Sequence, residues 1–162
     1  MSRDAANRAQ ACEGPMQHFE DFAVGQKFAC ARRRHVDAAE IKAFAADYDP
    51  QPFHLDEAAA AGSVFGGLAA SGWHTAALTM SLLVPGEFRP AGGIVGFGGE
   101  LQWLKPVRPG DELRVESEII ELRDSRSRPD QGLVRVRVTT LNQHGEAVQT
   151  FTPTLLVDRR PP

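Results

Sequence analysis

The chain has 162 residues, 42% hydrophobic and 24% charged, which suits one globular domain large enough to bury a core without disulfide or metal staples. Its net charge of −3 argues against nucleic acid as a partner, because gripping a phosphate backbone needs a basic face. No run approaches the length of a membrane span, and the first seventeen residues carry no apolar signal region, so the sequence predicts a cytoplasmic protein with no membrane partner.

Residues 1–17 are polar and alanine-rich without a clear period and read as a tail, leaving one domain over 18–158. The two cysteines, Cys12 and Cys30, match no zinc spacing, and a disulfide between them is possible but unforced. A strand is expected from about Lys27 to Val36, exposed or at an edge because of the arginines at 32–34. A helix follows. Asp37 is its cap, and Glu40 three residues later completes a capping-box pattern. Ile41, Phe44, Ala45 and Tyr48 recur on one helical face. Pro50 ends the helix near Asp49, since the residue before a proline avoids helical geometry.

Residues 47–56 read DYDPQPFHLD, with three carboxylates, one histidine and two prolines in ten positions. They are expected to form a rigid loop, at whose end Asp56 caps a short helix, EAAAA, that Gly62 terminates. A glycine-rich connection occupies 63–72, and WHTAALTMSLLV at 73–84 reads as a second helix, apolar nearly all round and therefore buried. After Pro85-Gly86 the period changes to two. Four segments (92–104, 111–122, 132–142 and 146–157) alternate as strands, with Val134, Val136 and Val138 on one face and Arg135 and Arg137 on the other. Pro153 places a bend or an edge in the last strand. The fold class is α+β: an antiparallel sheet of about five strands wrapped around one long apolar helix.

DPQPFHLD, followed by GGLAASGWHTAAL, resembles the MaoC-like dehydratases, the (R)-specific enoyl-CoA hydratase group of the hotdog superfamily. That group's motif runs aspartate, any residue, asparagine, proline, any residue, histidine, any residue, aspartate. Asp49, Pro52, His54 and Asp56 fall at matching positions, with Gln51 in place of the asparagine. GELQWLKPVRPGDEL at 99–113 resembles the strand and turn after the group's helix, so the likeness spans about residues 20–157. The resemblance implies a hotdog fold, a homodimer, no cofactor beyond the coenzyme A or acyl carrier protein of the substrate, and no metal. It implies Asp49 and His54 as the pair that activates water for addition to a trans-2-enoyl thioester. Two departures touch substrate orientation. Ser71 stands where the group often has histidine, and Ala76 or Ala77 where some members place a serine.

The chemistry asks for such groups independently of the likeness. Hydrating an enoyl thioester needs a base for the water and an acid for the α-carbon, and histidine with a carboxylate supplies both near neutral pH. Five extended residues span roughly 16 Å, so Asp49 and His54 must fold toward each other. The enolate oxygen needs a donor. Gly72, with Ser71 before it at the start of the buried helix, offers a free amide at the positive end of the helix dipole. Trp73 and Phe53 are placed to flank the acyl chain.

Competing readings stay beside these. Asp47 is an alternative aspartate, but it falls within the first helix. Asp56 reads as an N-cap and His74 as a core histidine. Arg89, Lys105, Arg108 and Arg128 are candidates for coenzyme A phosphates that the sequence does not rank. The glycines show no dinucleotide fingerprint. Two rival functions remain, a hotdog thioesterase and a non-catalytic binding subunit. Against the first, helix 73–84 has no Asp or Glu. Against the second, both Asp49 and His54 are present.

Overall fold

In the computed structural model, residues 14–29 and 31–162 are described; Cys12, Cys30 and the tail through residue 13 lie outside that range. The last three strands form a meander: β4 (Glu112–Asp124), β5 (Gln131–Leu141) and β6 (Ala147–Asp158). β3 (Val95–Trp103) pairs antiparallel with the far side of β6, and β1 (Lys27–Ala29) with the far side of β4, giving the order β1-β4-β5-β6-β3. β2 (Arg34–His35) also pairs with β4. The expected strand over 27–36 is therefore two short pieces laid along one long neighbour, and the sheet has six strands rather than about five. Gln17, assigned to the tail by sequence, forms a bridge with Pro90.

The helices are α1 (Ala38–Tyr48), α2 (Pro52–Leu55), α3 (Glu57–Ala61) and α4 (Gly72–Leu83). Leu78, Leu82 and Leu83 of α4 join Val134, Val136 and Val138 of β5 and Val148, Leu155 and Val157 of β6 in one core. Burial of this apolar surface is the main force holding helix and sheet together. The outer face carries cross-strand charge pairs instead, such as Arg137 with Glu118 at 3.8 Å, and such solvated pairs add little stability.

Two expectations change on contact with the fold. Pro153 lies in β6, an interior strand, opposite Gly99. A proline cannot donate to the ladder, and β3 answers with a register shift between Gly96 and Gly99. Gly98 there has φ +152°, and a side chain on Gly99 would strike the Pro153 backbone at 2.7 Å. The bend is thus taken up by the neighbouring strand. Helix α4 is not buried all round: its inward face holds His74, Thr75 and Thr79 as well as leucines, while Trp73, Ala77, Ser81 and Val84 face out.

Candidate active site

Asp49 sits at the C-terminal cap of α1, where its N–H donates to the Ala45 carbonyl at 2.9 Å. The rigid loop expected here is in part helical, with a single turn over Pro52–Leu55. Pro52 occupies the first turn of α2, where its fixed φ suits helix and its missing N–H costs nothing. That single turn folds the chain back and brings His54 Nε2 to 3.4 Å from Asp49 Oδ2. Asp56 then caps α3, accepting from the Ala59 N–H at 2.8 Å, as its N-cap reading requires.

His54 is buried, and its Nδ1 lies 2.7 Å from the Ala69 carbonyl oxygen. A carbonyl only accepts, so Nδ1 carries a proton, and Nε2 is the ring nitrogen turned toward Asp49. Asp49 receives two donors: Ser71 Oγ–H to Oδ2 at 2.7 Å and Gln51 Nε2–H to Oδ1 at 2.7 Å. Burial raises the Asp49 carboxyl, but the Ser71 and Gln51 hydrogen bonds and the nearby His54 outweigh it, and the net shift is below the ordinary aspartate value. Asp49 is therefore a carboxylate at neutral pH. Ser71 also caps α4, its Oγ accepting the Trp73 N–H at 3.2 Å.

Gly72 is the first residue of α4, so its N–H has no acceptor within the helix. The Trp103 ring packs so closely on it that a Cβ at Gly72 would lie 2.4 Å from the indole. Glycine is required there by space alone. A cavity of about 410 Å³ opens between these parts, lined by Asp49, Gln51, Phe53, His54, Gly72 and Trp73 among others. Six of the seven residues singled out by sequence thus share one cleft, and the seventh, Ser71, stands behind Asp49.

Phe65, Thr75 and Trp103 also line the cleft and escaped the sequence reading. Trp103 lay within the stretch that resembles the hydratases, which was the available signal. Thr75 and Phe65 had none, since each looks like an ordinary helix or loop residue. Of the basic candidates only Lys105 reaches the cavity, where it also pairs with Glu146. Arg108 instead donates to the carbonyls of Phe65, Gly67 and Leu68, clamping the glycine-rich loop. Arg89 donates to the Gly14 carbonyl and Arg128 to Gln131. Asp47 is exposed on α1, away from the cleft. His74 is buried outside it, stacked on Phe44 at 4.6 Å with Nε2 3.7 Å from Glu40, and burial lowers its pKa. Among the described residues no three His, Cys, Asp or Glu side chains cluster closely enough to hold a metal ion.

The family profile of the MaoC-like domain matches residues 20–142. The chain belongs to this family. A crystal structure of the MaoC-like dehydratase from Rhodospirillum rubrum is similar with TM-score 0.86 and 56% identity, covering 90% of this chain and 99% of that one. The (R)-specific enoyl-CoA hydratase of Aeromonas caviae is 37% identical over 108 residues, 66% of this chain and 78% of the relative. An uncharacterised Bacillus subtilis protein, YdeM, is 32% identical over 125 residues, 76% of this chain and 86% of the relative. These likenesses agree with the α+β architecture of antiparallel sheet and central helix. No helix among the described residues is long and apolar enough to cross a membrane.

Proposed function

We propose that this MaoC-like domain is an acyl-CoA hydro-lyase that reversibly hydrates a trans-2-enoyl-CoA to a 3-hydroxyacyl-CoA. The observation that carries this reading is the 3.4 Å approach of His54 Nε2 and Asp49 Oδ2 beside the free Gly72 amide. With Nε2 unprotonated and Asp49 ionised, both atoms are acceptors and cannot bond to each other. A water molecule donating one O–H to each is held by both and oriented toward the cleft. His54 Nε2 takes a proton as the water oxygen bonds to C3 of the enoyl group. The C2=C3 electrons move into the thioester, and Gly72 N–H donates to the enolate oxygen that forms. The proton then passes from the pair to C2, so one H and one OH have been added and the site is restored.

Gln51 and Ser71 hold the Asp49 carboxylate, while Phe53 and Trp73 bound the cleft in which the acyl portion lies. The catalytic unit spans about residues 18–158 and acts as a homodimer joined through the exposed edge of β3. The reaction as proposed needs no cofactor, the coenzyme A being part of the substrate.

Incubation with crotonyl-CoA tests the reading, following loss of enoyl absorbance and appearance of free thiol together. Absorbance loss without thiol is the expected result. Thiol release points to a thioesterase, and no change in either signal to a binding subunit.

A further inference from the structure

The inner face of the sheet is mostly apolar, with Val134, Val136, Val138 and Leu155 buried on it, and it carries a polar row at the end beside the cleft. Trp103 of β3 stands opposite Gln149 of β6, which stands opposite Thr140 of β5. These three form one row across three strands, directly under α4. Gln149 and Thr140 are fully buried.

The row is closed by hydrogen bonds. Trp103 Nε1–H donates to Gln149 Oε1 at 3.0 Å, and Gln149 Nε2–H donates to Thr79 Oγ1 of α4 at 2.9 Å. Thr79 Oγ1 in turn donates to the Thr75 carbonyl at 2.9 Å, which uses its single proton. Thr140 Oγ1, 2.6 Å away, must therefore donate to Thr79, whose two acceptor positions are then filled. A network satisfied in this way has little polar capacity left for a ligand, and opening it leaves buried groups unpaired. The indole it anchors packs against Gly72 and meets Trp73 in a T-shaped contact at 5.2 Å. Thr75, one turn into α4, lines the cleft immediately above this network.

We infer that Trp103, fixed by Gln149, is the end wall of the acyl pocket and restricts the enzyme to short enoyl thioesters. This rests on the hydration reading of the same cleft. Behind the indole, the gap between α4 and the sheet is filled by the buried Gln149, Thr140 and Thr79. Here the chain meets an indole that cannot swing aside without breaking its bond to Gln149, and behind it a polar layer against which methylenes gain nothing.

Chain-length profiles decide it. The wild-type kcat/KM for four-carbon crotonyl-CoA should exceed that for trans-2-octenoyl-CoA by about tenfold or more, and Trp103→Ala should narrow the gap to about threefold or less. Trp103→Phe keeps the bulk while removing the N–H donor, and should fall between the two. In parallel, calorimetric affinities for butyryl-CoA and octanoyl-CoA should follow the same order without any turnover. Equal kcat/KM for both enoyl substrates in the wild type, or an unchanged ratio in Trp103→Ala, overturns the wall. If no enoyl thioester is hydrated, the hydration reading fails instead, and the affinity ratios still judge the wall: equal wild-type affinities reject it.

Discussion

Asp49 accepts from Ser71 and Gln51 while facing His54, and this arrangement fixes its charge more than its burial does. Because its folded-state pKa lies below the ordinary value, the ionised carboxylate stabilises the fold at pH above the unfolded pKa. That contribution is lost as pH falls through the folded value. Replacing Ser71 by Ala removes one donor to the charged form, so the Asp49 titration should move upward. A carboxyl-carbon NMR titration reads this directly, and an unmoved midpoint would show that Ser71 serves only as a helix cap. Asp49→Asn and His54→Ala should each lower kcat for crotonyl-CoA by about 10²–10⁴-fold with the circular dichroism spectrum retained, whereas Asp47→Asn, exposed on α1, should be near wild type. Near-wild-type rates in the first two variants would remove the pair from the chemistry. The sequence revealed these two residues because their spacing and prolines form a local motif. It presented Ser71 as a departure, since the hydrogen bond that gives it a role crosses twenty-two positions of chain.

Elements were legible where the signal was local. The Asp37 cap accepts from the Glu40 N–H at 2.8 Å, but the Glu40 carboxylate, expected to reciprocate, turns to Arg34 and His74. Those partners come from β2 and α4, so no reading of α1 alone finds them. The helical turn of α2 was hidden for a related reason: two prolines in three residues signal rigidity without saying which rigid form. Arg108 shows how an element far along the chain governs this region. Its guanidinium binds carbonyls of the loop whose Phe65 ring lies 5.1 Å from Phe53 and 5.9 Å from His54. Arg108→Met should therefore loosen the cleft wall. Loss of charge-assisted bonds of this kind costs about 2 kcal/mol, or a Tm drop of about 4–8 °C in a domain of this size. Thermal melts should be paired with kinetics, and KM should rise more than kcat falls. A variant with wild-type Tm and KM would reduce Arg108 to a surface residue.

The whole molecule leaves one long edge open. β3 pairs with β6 on one side only, and beside its free edge Phe97 is 64% exposed, Val95 51% and Trp103 48%. An unpaired nine-residue strand bearing large apolar side chains is a template for another strand, and natural edges are usually guarded by charge, proline or cover. The outward face of α4, with Trp73 and Val84 exposed, meets this edge where Trp73 contacts Trp103. Sequence periodicity read α4 as buried on every side because it counts apolar positions without knowing which molecule covers them. The homodimer proposed above, joined through β3, would answer both exposures and would lay the partner beside the cleft wall. Sedimentation at micromolar concentration should therefore give twice the chain mass. Phe97→Lys introduces the charge that guarded edges carry and should weaken the dimer by about tenfold or more. Crotonyl-CoA turnover should fall as the variant is diluted through its dissociation range, because the wall formed by Trp73 and Trp103 loses its cover. A wild-type chain that sediments as a monomer, or a Phe97→Lys variant as tightly dimeric as the parent, would place the contact elsewhere.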